Sequence, residues 1–317
     1  LLGSLFGMVD MMMLGRISDN ALAAASVAAV GMTNQPLFIG ISLVQALNIG
    51  GTAMIARYFG ANQNEKIEIT LKHVMLLSML MLAIPLSILG FVFTDSIMKL
   101  MGAQADTLQV GRIYFRIIMV GYVFQSLNMS ISAALRGIGE TRVPMIINLR
   151  CNFLNVIGNA ILIYGLLGFP RLGITGAGIS TALSNAVASV FIFGYVLKGK
   201  SVVRFSIKKP FNLNRRILYN LFKIGMPASF EQLVLRTGVL LFVRIVAELG
   251  TVIYAAHQIA LSILGLSFQP GQAFGIAASS LVGISLGAGK PDMAEEYARK
   301  TRKMGSIIST FMAIIFF

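Results

Sequence analysis

One aspartate stands out by its surroundings. Asp10 lies within Phe6-Gly-Met-Val-Asp-Met-Met-Met-Leu14, apolar on both sides. Seven positions separate it from Ile17, about 10 Å of helix. A carboxylate in hydrocarbon costs several kcal/mol, so it marks a place where a charge is taken up and released, a proton being the simplest case. The competing reading is a carboxylate that snorkels to a nearby interface. Three amides follow further on, Asn152, Asn155 and Asn159. The last two are four apart and share one helix face. Such amides can steady a carboxylate or lend oxygen to a cation, or they can simply bond helix to helix.

Glu231 comes shortly after Gly225-Met-Pro227. If Pro227 opens a helix, Glu231 sits one turn in, where it offsets the helix dipole or packs against a partner. Otherwise it is a second acidic candidate for a cation or substrate. Arg116, Arg150, Arg236 and Arg244 also interrupt apolar stretches. Each can snorkel, and Arg244, close to its helix end, is best read so. Arg236 lies deeper and should pair with an acid or face water. With Gln35, Pro36, Gln269 and Pro270 it is a candidate for lining a cavity. His257 reads as interfacial, and His73, beside Lys72 at a helix start, as solvated. Two histidines and the single Cys151 leave zinc or iron–sulfur chemistry no ligand cluster, and no cofactor is expected. No Ser/His/Asp, HExxH or paired-carboxylate arrangement supports an enzyme.

The elements that position these residues follow from composition. Only 12% of residues are charged and 56% are hydrophobic, with a mean hydropathy of +0.80. A soluble domain carries about twice that charge, so the surplus apolar surface needs lipid. The expected fold is an all-α integral membrane protein, a polytopic helix bundle. A span needs about 20 apolar residues, which predicts helices over 1–16, 24–57, 73–94, 108–135, 143–168, 174–197, 217–247, 256–287 and 304–317. Leu1 and Phe317 both fall inside apolar stretches, so the chain reads as a piece of a longer protein.

The formal charge of +14 does not point to nucleic acid, because the basic residues sit in short segments between apolar runs. Eighteen follow even-numbered helices, against four at the opposite loops and helix ends. That bias places the loops 2–3, 4–5, 6–7 and 8–9 in the cytoplasm, as in a multi-pass protein of the cell's inner (plasma) membrane. The longest polar interruption, about 199–216, divides a lobe over 1–198 from a partial lobe over 217–317. Its Val202, Val203, Phe205 and Ile207 alternate with basic residues, as in a strip on anionic headgroups or a solvated linker.

The chain also resembles itself. Leu22-Ala-Ala-Ala-Ser-Val-Ala28 is similar to Tyr254-Ala-Ala-His-Gln-Ile-Ala260, and Phe59-Gly-Ala-Asn-Gln-Asn-Glu65 to Leu286-Gly-Ala-Gly-Lys-Pro-Asp292. Six helices separate the copies, so both keep one orientation. This is the pattern of parallel repeats in transporters that rock two pseudo-symmetric lobes. Small-residue stripes at Gly271, Gly275, Ser279, Gly283 and Gly287, and at Gly176, Ser180, Ser184 and Ala188, predict close helix packing.

Several of these stretches resemble the multidrug and toxic compound extrusion (MATE) family. They are Val9-Asp-Met-Met-Met-Leu-Gly15, Ile55-Ala-Arg-Tyr-Phe-Gly-Ala61, Leu135-Arg-Gly-Ile-Gly-Glu-Thr-Arg-Val-Pro144, Ile174-Thr-Gly-Ala-Gly-Ile-Ser-Thr181, Ile224-Gly-Met-Pro227 and Tyr254-Ala-Ala-His-Gln258. The resemblance implies twelve helices in two lobes, of which about nine are present here. It implies a monomeric antiporter that exports organic, often cationic and amphipathic compounds against inward flow of H+ or Na+. It matches Asp10 to the family's acidic position in the first helix, with Asn155, Asn159 and Thr181 beside it. One branch has aspartate where this chain has Asn159. Another places an acid at the position of Leu235, with Glu231 one turn earlier. A flippase for lipid-linked saccharides shares this architecture and would use arginines in its cavity. A channel would need a filter sequence, and none is visible.

Overall fold

The computed structural model describes residues 2–16, 20–103, 105–206, 213–248 and 251–316, and among these every regular element is helical. Nine long helices correspond one for one to the nine apolar segments. They are α1 (Leu2–Gly15), α2 (Asn20–Gly60), α3 (Asn64–Val92), α4 (Ala105–Gly137), α5 (Arg142–Tyr164), α6 (Gly173–Leu197), α7 (Arg215–Glu248), α8 (Thr251–Gly287) and α9 (Pro291–Phe316). A short helix, Thr94–Leu100, follows α3. Within the described residues, five helices are long and apolar enough to cross a membrane, those of α2 to α6.

The bounds differ from expectation where polarity masks helicity. α3 begins at Asn64, because the exposed Glu65 and Lys66 ride on a helix whose other face, Ile67, Leu71 and Val74 with the paired Glu68 and Lys72, is buried. A search for apolar runs misses such an amphipathic turn. α9 likewise begins at Pro291, since the charged run to Lys303 is already helical and holds Glu295–Arg299 and Glu296–Lys300 ion pairs at four-residue spacing. Pro227 does not open α7 but lies inside it. Glu231 is therefore more than four turns from the helix start, too far to offset the dipole. In α3 the stretch Leu77–Ala83 is π-helical and ends two residues before Pro85. Proline has no N–H and crowds the preceding turn, and a widened turn relieves both.

Packing in the first six helices centres on α2, α4 and α6. Gly121 of α4 lies so close to α6 that a methyl there would reach 3.0 Å from Ala182. One core cluster joins Leu14, Ala29, Val30, Tyr114, Phe115, Ile163, Ile174 and Ala177. α1 lies against α5 and α2, and α2 in turn contacts α7 and α8.

The self-similar stretches at the ends of α2 and α8 fold alike. Gln63 N–H donates to Tyr58 O at 2.9 Å, and 227 positions later Lys290 N–H donates to Ser285 O at 3.0 Å. Asn62 and Gly289 both take left-handed φ, 55° and 70°, the conformation that glycine and asparagine tolerate. These ends also cross. A Cβ on Gly60 would fall on the Ile284 carbonyl oxygen, and a Cβ on Gly287 on that of Arg57. The crossing is reciprocal, since Gly60 and Gly287 correspond, as do Arg57 and Ile284. The glycine stripe of α8 is tight only here. At Gly271 and Gly275 a methyl would meet nothing within 4 Å.

The segment after α6 is tied down rather than laid on lipid or left solvated. Val203 is fully buried, and Val202 and Phe205 pack against the cluster of Ile67, Leu71, Ile192 and Val196. Ser206 N–H donates to Glu68 Oε1 at 3.0 Å, and Lys72 Nζ to Ser206 O at 2.8 Å. Beyond the stretch 207–212, which lies outside the described residues with Ile207, Asn214 N–H donates to His73 Nε2 at 2.8 Å. His73 is therefore a buried clip and not a solvated residue. Its Nδ1 carries the proton and donates to Ile69 O at 2.7 Å.

Candidate functional site

The acid at position 10 sits on α1 where that helix lies along α5. Asn159 Nδ2 donates to Asp10 Oδ1 at 2.7 Å. Asn155, one turn earlier, is on the same face as the shared spacing requires. With its nitrogen towards the acid, the Asn155 amide lies 3.2 Å from both Asp10 oxygens, and its oxygen accepts from the Thr181 N–H and hydroxyl, each at 3.2 Å. Turned the other way, the same nitrogen donates to Ser180 Oγ at 3.3 Å and Thr181 Oγ at 3.2 Å. The oxygen then faces Asp10, two acceptors in apposition unless the acid carries a proton.

The surroundings make this cluster dry on one side. Asn159 is 0% exposed and Asn155 7%, whereas Asp10 is only half-buried. Asn159 Oδ1 is buried without a hydrogen-bond partner. α5 and α6 can approach because Gly158 faces Ser180 and Gly176 faces the Leu162 backbone. Ser180 Oγ donates to Asn155 O at 2.8 Å and holds the amide's helix in register. Tyr164 OH donates to Met13 O at 2.7 Å, fastening α1 one turn beyond the acid.

The structure thus brings Asp10, Asn155, Asn159 and Thr181 together across three helices. Ser180 and Tyr164 were not singled out from sequence as site residues. Ser180 lay in a stripe read as packing, and nothing local to Tyr164 marks its reach to α1. Among the described residues no cluster of three His, Cys, Asp or Glu could hold a metal.

The remaining candidates stand elsewhere. Glu231 is exposed on α7. Arg236, also exposed on α7, donates from Nε to Ser42 Oγ on α2 at 3.2 Å, and its Cζ is 5.6 Å from the Phe38 ring centroid. No acid pairs with it among the described residues, and the side chain is exposed, the second of the two expectations. Arg116 Cζ lies 5.2 Å from the Phe91 ring centroid, and Arg150 is exposed. Gln35 and Gln269 are exposed, each beside a half-buried proline, Pro36 and Pro270, that leaves its helix continuous. The side chains of Arg244 and His257 lie outside the described residues.

Comparison with known proteins adds a second line of evidence. A family model described as MatE matches residues 1–161 and 227–317. The chain is 29% identical over 317 residues to the probable multidrug resistance protein NorM of Thermotoga maritima, covering 99% of this chain and 66% of that protein. It is similar to a crystal structure of MATE in the bent conformation, with a TM-score of 0.83 and 25% identity over 96% of this chain and 66% of that one. It is also similar to an outward-facing multidrug resistance MATE family transporter, with a TM-score of 0.82, 25% identity and the same coverage. The chain spans about two thirds of the length of these relatives.

Proposed function

Since the chain belongs to the MatE family, whose members are membrane transporters, we propose that the whole protein is a cation-coupled antiporter. It exports small organic, often cationic amphipathic compounds by alternating access between two lobes. The first lobe comprises residues 1–198 and the second begins at 217, with 199–216 as a cytoplasmic linker. The reciprocal crossing of Gly60 and Gly287 supports this division, because equivalent residues meet as they would across a two-fold axis. The protein acts as a monomer in the inner membrane, with the loops after α2, α4, α6 and α8 in the cytoplasm.

The observation that carries the reading is the seat of the Asp10 carboxylate on α1, within hydrogen-bond distance of the Asn155 and Asn159 amides of α5. When Asp10 is charged, Asn155 and Asn159 turn nitrogen towards it, and Thr181 donates to the Asn155 oxygen. When Asp10 takes a proton, it becomes a donor. The Asn155 and Asn159 amides then lose a charged acceptor, and the Asn155 contact with Thr181 has to adjust. Proton uptake on α1 is thereby transmitted to the contact between α5 and α6, and charge no longer has to be held beside apolar helices. Sodium fits the same position through the Asp10 carboxylate, Thr181 Oγ and the unpartnered Asn159 Oδ1, all hard oxygen donors. Coupling follows if the ion and the exported compound favour different arrangements of the lobes.

The test is efflux of an ethidium-like cation from proteoliposomes of the full-length protein, under separate proton and sodium gradients. Asp10→Asn is expected to lower gradient-driven efflux at least tenfold. Unchanged coupled efflux in that variant removes Asp10 from the role. A second reading, a flippase for lipid-linked saccharides, is favoured by the exposed Arg236. Movement of a lipid-linked sugar, with no efflux of the cation, would establish it instead.

A further inference from the structure

Arg236 is a charged group that the coupling site does not use and that reaches from α7 to α2. It lies 13 positions beyond Lys223 and eight before Arg244, about 20 and 12 Å of helix, too deep to reach either interface without bending far. A guanidinium at that depth normally has an acid beside it. Here the Nε donates to the Ser42 hydroxyl, itself 4% exposed, and the Phe38 ring lies against one face of the cation. Neither supplies negative charge. Glu231 lies on the same helix but five positions away, about 140° around the axis, so it turns to another side. With Nε committed to Ser42, no acid among the described residues pairs with the exposed guanidinium.

We propose that Arg236 is a binding subsite between α7 and α2 for the anionic group of an amphipathic substrate, a carboxylate or a phosphate. The inference rests on the export reading and narrows its substrate class. The chemistry fits because the planar fork of arginine offers two parallel N–H donors to two anionic oxygens. Ser42 fixes the fork's orientation, and Phe38, 42% exposed, provides an apolar surface beside it for the body of the ligand. A purely cationic compound gains nothing at this position and is repelled by it.

The matched probes are a xanthene dye with a free carboxylate and its ethyl ester, a lipophilic cation of nearly the same shape. Binding to the full-length protein in detergent is followed by fluorescence polarisation. The wild type should prefer the carboxylate dye. Arg236→Gln should raise the Kd for the carboxylate dye at least tenfold and change that for the ester less than twofold, with Arg236→Lys in between. Equal changes for both dyes, or none for either, overturn the subsite. Should Arg236→Gln fail to fold, a wild type that prefers the ester overturns it equally well. Gradient-driven efflux of the ester is measured alongside. Its absence, with the dye preference intact, overturns the export reading and leaves the subsite standing.

Discussion

Asp10 and Asn159 face each other across two helices and are joined by a hydrogen bond of 2.7 Å. Hydrogen bonds between helices in lipid contribute about 0.6 to 2 kcal/mol. Asn159→Leu should therefore destabilise the detergent-solubilised protein by about 1 kcal/mol, read as a lower midpoint of thermal unfolding. It should also lower coupled efflux, since Asp10 loses a donor and the replacement offers no oxygen to a cation. Asn159→Asp tests the same position differently. It places a second acid against the first, and because two neighbouring carboxylates resist joint ionisation, efflux driven by a proton gradient should change its pH profile. An unchanged profile would show that position 159 does not share its proton with Asp10.

Among the elements, the close crossing of α2 and α8 depends on glycine at positions 60 and 287. A side chain at Gly60 or Gly287 has nowhere to go but into the other helix's backbone. Gly287→Leu should part the two helices. Ala56 is fully buried against Gly283 at this crossing, so it reports the event. In a Cys151→Ala background, Ala56→Cys should react with maleimide at least tenfold faster when Gly287→Leu is added. Equal rates would mean that the helices are held together by contacts elsewhere. The linker has its own anchor in α3. His73→Leu removes the acceptor for Asn214 N–H and with it the tie between the linker and α3. Trypsin cleavage after Lys208 should then accelerate several-fold over wild type.

For the whole molecule, the prediction concerns sidedness. The repeat requires that Leu22–Ala28 and Tyr254–Ala260 lie at one face of the membrane, and the distribution of basic residues requires that this be the outer one. Single cysteines placed at Leu22 and Tyr254 should both be labelled by an impermeant maleimide added to intact cells. Labelling from opposite sides would break the parallel arrangement of the lobes and the mechanism built on it.

Much of this is legible in the amino-acid sequence. The helical, lipid-borne character, the number of long helices and the similarity of the α2 and α8 ends were determined by the sequence itself. Hydropathy and short motifs are local properties, and each helix in a membrane satisfies its backbone without help from distant residues. Asp10 could be singled out for the same reason, as an acid with apolar neighbours on both sides. Charged amphipathic turns at the starts of α3 and α9 defeated that criterion, since their partners are other helices and not lipid. The tertiary structure alone decided which groups meet. Asp10 is 149 positions from Asn159, and His73 is 141 from Asn214. No local spacing relates such pairs, and they come together only because glycine and serine let α5 lie on α6 and the linker fold back over α3. The same holds for Arg236, whose hydroxyl partner lies 194 positions away. Its sequence neighbours mark a buried charge, and the packing of α7 on α2 leaves that charge open to a ligand.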